Sequence, residues 1–184
     1  MQASPRVLSM IDGIIEREGG FSDHPNDPGG ATMYGITESV ARVNGYHGDM
    51  RAMPREFAAS VYLTQYFIGP KFNLVADQSP VIADELTDTG VNMGVVKAGE
   101  FLQTALNAFN LNGMFYRDLL VDGHVGNMTV AALRSFLEKR GAEGEGVLLK
   151  ALNCLQCAEY LRLAKAKPEK FETFVYGWIK ERIG

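Results

Sequence analysis

Residues 14–37 read IIEREGGFSDHPNDPGGATMYGIT and join an apolar helical pattern to a segment rich in glycine and proline. Apolar residues recur upstream at intervals of three and four, which predicts an amphipathic helix: Val7, Leu8, Ile11, Ile14 and Ile15. Ser4 and Pro5 are typical of the start of such a helix, and Gly19 of its end. The same spacing continues to Glu18, so we expect a carboxylate on the apolar face.

Glu18 is expected to be desolvated there, and a desolvated carboxyl group holds its proton more tightly than a hydrated one. Such a group can protonate the leaving oxygen of a glycosidic bond. Asp27 follows in a polar loop, where it is expected to stay ionised and to stabilise positive charge or activate water. The hydroxyl group of Thr32 is a candidate for holding that water, and Gly29 and Gly30 would allow the backbone to approach a sugar closely.

Other interpretations of this segment remain open. A glutamate at a helix end and an Asp-Pro-Gly-Gly sequence also form an ordinary turn without any catalytic role. SDHPNDPGG is a candidate calcium loop, although it lacks the alternating ligands and the terminal glutamate of an EF-hand. A phosphate-binding loop fits less well, because no Gly-Lys-Ser/Thr follows the glycines.

Composition and charge limit the class of protein. The chain has 184 residues, of which 46% are hydrophobic and 22% charged, and this predicts a folded globular protein. The net charge is −4 and the basic residues are scattered, which argues against a nucleic-acid-binding protein. No apolar stretch reaches transmembrane length, and the N-terminus lacks a secretory hydrophobic segment. We therefore expect cytoplasmic synthesis without a signal peptide and no stable membrane insertion.

The rest of the chain shows a repeated pattern of helices and turns. Helices are predicted to start or run at these places: Thr37–Val43, Pro54–Ile68, Ser79–Asn92, 97–110, from Thr129, Val147–Lys167 and Phe171–Ile179. GAEGEG (141–146) is predicted to be a flexible connector. Long alternating strands are absent from the sequence, so the fold is predicted to be mainly α, with at most a short hairpin after residue 20.

EGGFSDHPNDPGGATMYGIT resembles the signature of the glycoside hydrolase family 108 N-acetylmuramidases, which are bacterial and phage-associated lysozymes also labelled secretion activator proteins. In that signature, Glu-Gly-Gly-aromatic leads into Asp-Pro-x-Asp-Pro-Gly-Gly-x-Thr-x-x-Gly-Ile. Glu18 takes the position of the family's catalytic glutamate. The spacing is also similar to the Glu-x8-Asp-x5-Thr triad of phage lysozymes, with one residue fewer between Asp27 and Thr32. The sequence departs from the signature at Phe21, His24 and Met33, and none of these departures removes a catalytic group.

The second half resembles the predicted peptidoglycan-binding region of the same family, in ADELTDTGVNMG, EFLQTALN, VDGHVGNMTVAAL and FETFVYGWIKER. The two resemblances imply a lysozyme-like helical fold with a short irregular or hairpin active-site loop. They place a muramidase catalytic region at residues 1–93 and a helical peptidoglycan-binding region at 94–184, either separate or packed as one unit. The implied partner is the peptidoglycan glycan strand. A bacterial, prophage-type enzyme would reach it after release or export, and we expect this enzyme to be a monomer.

The implied reaction is hydrolysis of the β-1,4 bond between N-acetylmuramic acid and N-acetylglucosamine, without a metal or an organic cofactor. Two alternatives are a lytic transglycosylase and an inactive wall-binding or secretion-regulating module. The candidate substrate-binding residues are Asp23, Gly29, Gly30, Tyr34, Asp88 and Asn92. Asp84 and Asp88 share a helix face that is either solvated or a rival source of the second catalytic carboxylate.

Three further features have both a structural and a functional interpretation. The aromatic residues Tyr62, Tyr66 and Phe67 are candidates for sugar stacking, but such spacing is more often core, and Trp178 is expected to pack. The turn made by Asp122, Gly123, Gly126 and Thr129 is common to several wall-binding modules and is explained by turn and cap formation alone. Cys154 and Cys157 have redox or metal interpretations, although their interpretation as two small hydrophobes in a reducing compartment is favoured.

Overall fold

The computed structural model describes residues 3–23 and 31–182, and the chain divides into two compact units at Gly69 and Pro70. The predicted mainly α, lysozyme-like fold is confirmed. The N-terminal unit contains α1 (Pro5–Glu18), β1 (Thr32–Met33), β2 (Ile36–Thr37), α2 (Glu38–Val43), a 3₁₀ turn (Met50–Ala52), α3 (Arg55–Leu63) and a π-helical turn (Thr64–Ile68). The C-terminal unit contains α4 (Phe72–Ala76), α5 (Pro80–Met93), α6 (Val95–Ala108), α7 (Asn127–Ala166) and α8 (Pro168–Arg182).

In the N-terminal unit, α1 packs on α3. The side chain of Ser4 caps α1 by accepting a hydrogen bond from the Val7 amide, as the sequence predicted. The buried face of α1 consists of Val7, Ile11, Ile14 and Ile15, and α3 contributes Ala58, Val61 and Tyr62. This contact fixes the position of the C-terminal end of α1, where Glu18 lies.

In the C-terminal unit, α5 is the central helix and contacts α4, α6 and α7. Ser79 caps it as predicted, and most of the helix from Ile82 to Gly90 is buried. A Cβ at Gly90 would lie 3.2 Å from a methyl carbon of Val95 and 3.4 Å from the Phe72 ring. A larger residue at position 90 would therefore need a small shift of Val95, so glycine favours the close packing of α6 on α5 at this point.

The prediction of a flexible connector at residues 141–146 is wrong. These residues lie inside α7, which is kinked at Gly141 with φ 61° and ψ −155°. Positive φ is accessible to glycine at little cost, and Gly141 forms a non-helical kink between two helical segments that together make up α7. Gly144 is buried, and a Cβ there would collide with Cβ of Arg140. Glycine at these positions therefore serves a tight bend in a packed helix.

The Asp122–Thr129 turn is organised around the buried side chain of Gln103. The Gln103 amide group donates hydrogen bonds to Oδ1 of Asp122 at 2.9 Å and to the His124 carbonyl at 3.2 Å. Its carbonyl oxygen accepts from the amides of Asp122 and Gly123 at 3.0 and 2.8 Å. The hydrogen bond from Gln103 is the main cause that lowers the pKa of Asp122 below its ordinary value. These contacts support the structural interpretation of the turn.

Replacing Gln103 by Leu is expected to lower the free energy of unfolding by about 3 kcal/mol, because two main-chain amides lose their buried acceptor. Denaturant unfolding of the two proteins measures the difference. His124→Ala is the control, since the Gln103 contact at that residue is made to the main-chain carbonyl. Equal stability of the Gln103→Leu variant and the wild type would show that this network contributes nothing.

Cys154 and Cys157 lie one turn apart in α7, with Cys154 exposed and Cys157 half-buried. Both thiols are free. Within residues 3–23 and 31–182, no group of three or more His, Cys, Asp or Glu side chains is arranged to hold a metal ion. None of the helices in the same ranges is both long and apolar enough to span a bilayer.

Candidate active site

A two-residue turn in the N-terminal unit carries the candidate site. β1 and β2 pair antiparallel, with Met33 opposite Ile36, so Tyr34 and Gly35 form the turn between them. Both residues have positive φ, 54° for Tyr34 and 75° for Gly35, as a type I′ hairpin turn requires. The short hairpin predicted after residue 20 is therefore present. A tyrosine in the left-handed region is uncommon and needs support from its surroundings.

Tyr62 of α3 supplies part of that support. Its hydroxyl group donates a 2.7 Å hydrogen bond to the main-chain carbonyl of Tyr34, 28 residues earlier in the chain. Tyr62 itself is buried and lies nearly parallel to the half-buried Tyr66, with ring centroids 6.3 Å apart. The hairpin turn is thus tied directly to the helix that packs on α1.

Glu18 lies against the other residue of this turn. A Cβ built on Gly35 would lie 2.7 Å from Cγ of Glu18, 2.8 Å from its Oε2 and 2.6 Å from the Tyr62 hydroxyl oxygen. The carboxylate of Glu18 and the hydroxyl group of Tyr62 therefore meet over the α-carbon of Gly35, in space that any other residue would fill. The close approach of three chain segments requires glycine at residue 35.

The expectation that Glu18 is desolvated is wrong, because its side chain is exposed. The apolar face of α1 is buried only as far as Ile15, and Glu18 is the last residue of the helix. Helical periodicity places Glu18 on the correct side of α1, but the packed surface ends one turn earlier. An exposed carboxylate in contact with a rigid turn is accessible to a ligand.

Burial, followed by the negative charge of Glu18 and the proximity of Tyr66, raises the pKa of Tyr62 from its ordinary 10.0 to about 12. The phenol therefore stays neutral and remains a hydrogen-bond donor throughout the physiological range. Because the folded-state pKa is above the unfolded-state value, the associated stability is fully present below pH 10 and is lost as the pH rises towards 12.

A spectrophotometric titration of phenolate absorbance tests this shift. Wild-type protein is expected to show late-titrating tyrosines, since the pKa of Tyr116 is also raised to about 12, mainly by burial. Tyr62→Phe should remove one late-titrating group and leave the tyrosines that ionise earlier unchanged. If the group removed were one that ionises at the ordinary tyrosine pH, the described environment of Tyr62 would be incorrect.

The remaining sequence-predicted residues of the loop lie at its ends or outside the described residues. Thr32 is half-buried in β1, and its main chain exchanges two 2.8 Å hydrogen bonds with Ser22, which joins the two ends of the loop. Asp23 follows Ser22 and is exposed, while Tyr34 is half-buried in the turn. The predictions for Asp27, Gly29 and Gly30 fall outside the described residues. The pairing of Ser22 with Thr32 keeps the two ends of that segment adjacent.

Asp88 and Asn92 occupy a different environment, in α5 of the C-terminal unit. Asp88 is buried and accepts a 3.1 Å hydrogen bond from the side chain of Gln156 on α7. Asn92 donates to the main-chain carbonyl of Asp88 at 2.7 Å and is half-buried. The solvated-face interpretation is therefore wrong for Asp88, which holds α5 and α7 together. Its assignment to substrate binding stays a prediction.

Sequence reasoning did not identify the close approach of Glu18 to Gly35, the position of Arg51 or the role of the Tyr62 hydroxyl group. The guanidinium group of the exposed Arg51 lies 4.4 Å from the centroid of the Phe21 ring, which places a cation beside the segment that follows Glu18. The sequence contains one signal for the turn, a Tyr-Gly pair between two short β-prone segments. Phe67, by contrast, is fully buried and belongs to the core.

The family model described as glycosyl hydrolase 108 matches residues 11–94, which include α1, the hairpin and α3. Residues 11–94 are similar to the glycosyl hydrolase 108 family. A second model, described as a predicted peptidoglycan domain, matches residues 97–183. The resemblance predicted from the EGG-to-GIT segment is confirmed, and the chain is a glycoside hydrolase of the peptidoglycan-degrading class.

A solved structure is similar to this chain over most of its length. SagA from Brucella abortus is similar with a TM-score of 0.51 and 24% identity, covering 95% of this chain and 87% of that chain. At this identity the likeness shows the fold alone. No curated protein matches the chain in sequence. The predicted division at residues 93 and 94 stays a prediction.

Proposed function

We propose that the protein is an N-acetylmuramidase that hydrolyses the β-1,4 bond between N-acetylmuramic acid and N-acetylglucosamine, with Glu18 as the general acid. The observation that carries the proposal is the position of the Glu18 carboxylate over Gly35, beside the Tyr62 hydroxyl group. An exposed carboxyl group fixed on a rigid turn can reach the bridging oxygen of a glycan placed along the hairpin.

Because Glu18 is exposed in the free protein, we expect bound substrate to shield its carboxyl group from water. A glycan lying over the turn would displace water from the carboxyl group, which favours its neutral form at the moment a proton is needed. Tyr62 is neutral at physiological pH, and its oxygen lone pairs are available to accept a hydrogen bond from a protonated Glu18. The proton then moves to the bridging oxygen as positive charge develops on the anomeric carbon.

Asp27 and Thr32 complete the proposed mechanism. Asp27 would stabilise the developing charge or activate water, and Thr32 would position that water, as the similarity to phage lysozymes implies. The half-buried position of Thr32 in β1 agrees with a fixed hydroxyl group at the edge of the turn. Neither role involves a metal or an organic cofactor. The proposed site of action is the cell wall, reached after release or export.

Product analysis tests the proposed bond. Purified peptidoglycan is digested, the new ends are reduced with borohydride, and the fragments are identified by mass spectrometry. The proposal predicts reducible N-acetylmuramic acid ends. Reducible N-acetylglucosamine ends would place the cut at the other glycosidic bond, and 1,6-anhydro ends would identify a lytic transglycosylase. Either of these results would overturn the proposed hydrolysis.

A further inference from the structure

A cavity of about 410 Å³ lies within the C-terminal unit, between α5, α6, α7 and α8. Its lining consists of an aromatic group, a polar group and two aliphatic side chains: Tyr160, Phe171 and Trp178; Asn92, Lys97 and Glu159; Met93 and Leu163. Its volume falls within the roughly 300–1,000 Å³ of ordinary small-molecule sites. We call it the Trp178 cavity.

The aromatic group of the lining is held together by contacts between its own rings. The Trp178 ring contacts Tyr160 at 5.1 Å and Phe171 at 5.9 Å between centroids, with interplanar angles of 35° and 53°. Trp178 is half-buried, so part of its surface remains accessible, whereas Tyr160 is buried beneath it. Tilted, mutually supported rings form a rigid apolar surface that loses little entropy when a ligand stacks on it.

Two residues of the polar group of the lining are held in place by ion pairs. Lys97 forms an ion pair with Glu100 at 2.5 Å, and Glu159 forms one with Arg162 at 2.6 Å. The hydrogen bond from Arg162 is the main cause that lowers the pKa of Glu159, with Lys97 a smaller contributor, so Glu159 is an anionic acceptor. Asn92 belongs to the same polar group of the lining, and its side-chain amide contributes a donor and an acceptor.

We propose that the Trp178 cavity is a second glycan-binding site that takes an N-acetylated sugar of the peptidoglycan strand. A pyranose ring has an apolar face of C–H groups and a polar rim, so it requires an aromatic surface bordered by hydrogen-bonding groups. The acetamido N–H group pairs with the Glu159 carboxylate, and its carbonyl accepts from Asn92 or Lys97. The inference rests on peptidoglycan as the substrate and is independent of the catalytic role of Glu18.

The sole tryptophan of the chain makes the site directly observable, since intrinsic fluorescence reports on Trp178. Full-length protein carrying Glu18→Gln is titrated with N,N′,N″,N‴-tetraacetylchitotetraose, so that the ligand is not degraded. A saturable change in tryptophan emission is expected, and cellotetraose, which lacks acetamido groups, should produce none. Absence of any saturable change with the acetylated sugar would overturn the proposal, as would an equal response to cellotetraose.

Two further variants separate sugar binding from packing of α8. Lys97→Met removes a half-exposed ammonium group and is expected to weaken chitotetraose binding about tenfold, measured by the change in Trp178 fluorescence. Tyr176→Ala is the matched control, because Tyr176 is an aromatic residue of α8 that is 78% exposed and lies outside the cavity lining. Equal affinity of the Lys97→Met variant and this control would contradict the site. Free stem peptide serves as a second ligand, and tighter binding of that peptide than of the sugar would also overturn it.

The fluorescence response tests the second site, and hydrolysis of peptidoglycan tests the catalytic role of Glu18, so the two can fail separately. Glu18→Gln protein that neither hydrolyses nor shows the fluorescence response refutes the second site and leaves the catalytic role intact. Glu18→Gln protein that shows the response yet still hydrolyses peptidoglycan refutes the catalytic role and leaves the second site intact.

Discussion

Replacing Glu18 by Gln is expected to lower the rate of peptidoglycan hydrolysis by about a thousandfold, within the range of general acid catalysis. Glutamine keeps the shape of the side chain over Gly35 but has no proton to give to the bridging oxygen. The turbidity of a purified cell-wall suspension measures the rate, and zymography confirms it on the same substrate. Circular dichroism should show unchanged helix content, because Glu18 is exposed.

Glu16→Gln is the matched control for this variant. Glu16 lies on the same helix, has a side chain that is 73% exposed, and pairs with Arg55 only at 3.6 Å. The same chemical change there should leave the rate within about twofold, since an exposed ion pair at this distance contributes little. Equal loss of activity in both variants would mean that charge on α1, and not the position of Glu18, determines the rate.

Replacing Gly35 by Ala is expected to lower the rate by about a hundredfold, the effect of displacing catalytic groups by about 1 Å. The new methyl group would lie within 2.8 Å of both the Glu18 carboxylate and the Tyr62 hydroxyl oxygen, so at least one must move. The turn itself would also resist the change, because φ at residue 35 is 75°. Initial rates at saturating substrate measure the loss in turnover.

Gly45→Ala controls for backbone strain in the same unit. Gly45 has φ of 90°, and a Cβ there would meet no atom within 4 Å. Both alanine variants therefore bear the strain of a left-handed residue, but only the variant at residue 35 disturbs the site. A similar decrease in activity for both would assign the effect to general destabilisation and remove Gly35 from the account of the site.

Helix starts were predictable from the sequence because their causes are local. Ser4, Thr37 and Ser79 each accept a hydrogen bond from an amide three residues later, and each was identifiable from the residues that follow. The hairpin was predictable for the same reason, since glycine at residue 35 supplies one of the two positive φ values of its turn. These interactions span a few residues, and their effects on backbone conformation are well defined.

Contacts between distant residues were not predictable. Gln156 and Asp88 are 68 residues apart, and no local pattern indicates that their side chains pair. Tyr62 and Tyr34 are 28 residues apart, so the hydrogen bond that supports the turn was equally hidden. The exposure of Glu18 was missed because periodicity identifies a helix face but does not show where the neighbouring helix stops covering it. Candidate residues were therefore identifiable, whereas their environments required the structure.

If Glu18 is the general acid, the loss of activity in Glu18→Gln should depend on the acidity of the leaving group. Wild-type and Glu18→Gln proteins are compared on an N-acetylated oligosaccharide with its natural sugar leaving group and on the matching glycoside of 2,4-dinitrophenol, which departs without a proton. If Glu18 is the acid, the variant should be severely impaired on the first substrate and close to wild type in its glycosidic bond cleavage on the second. An equally large deficit on both would show that Glu18 does not deliver the proton.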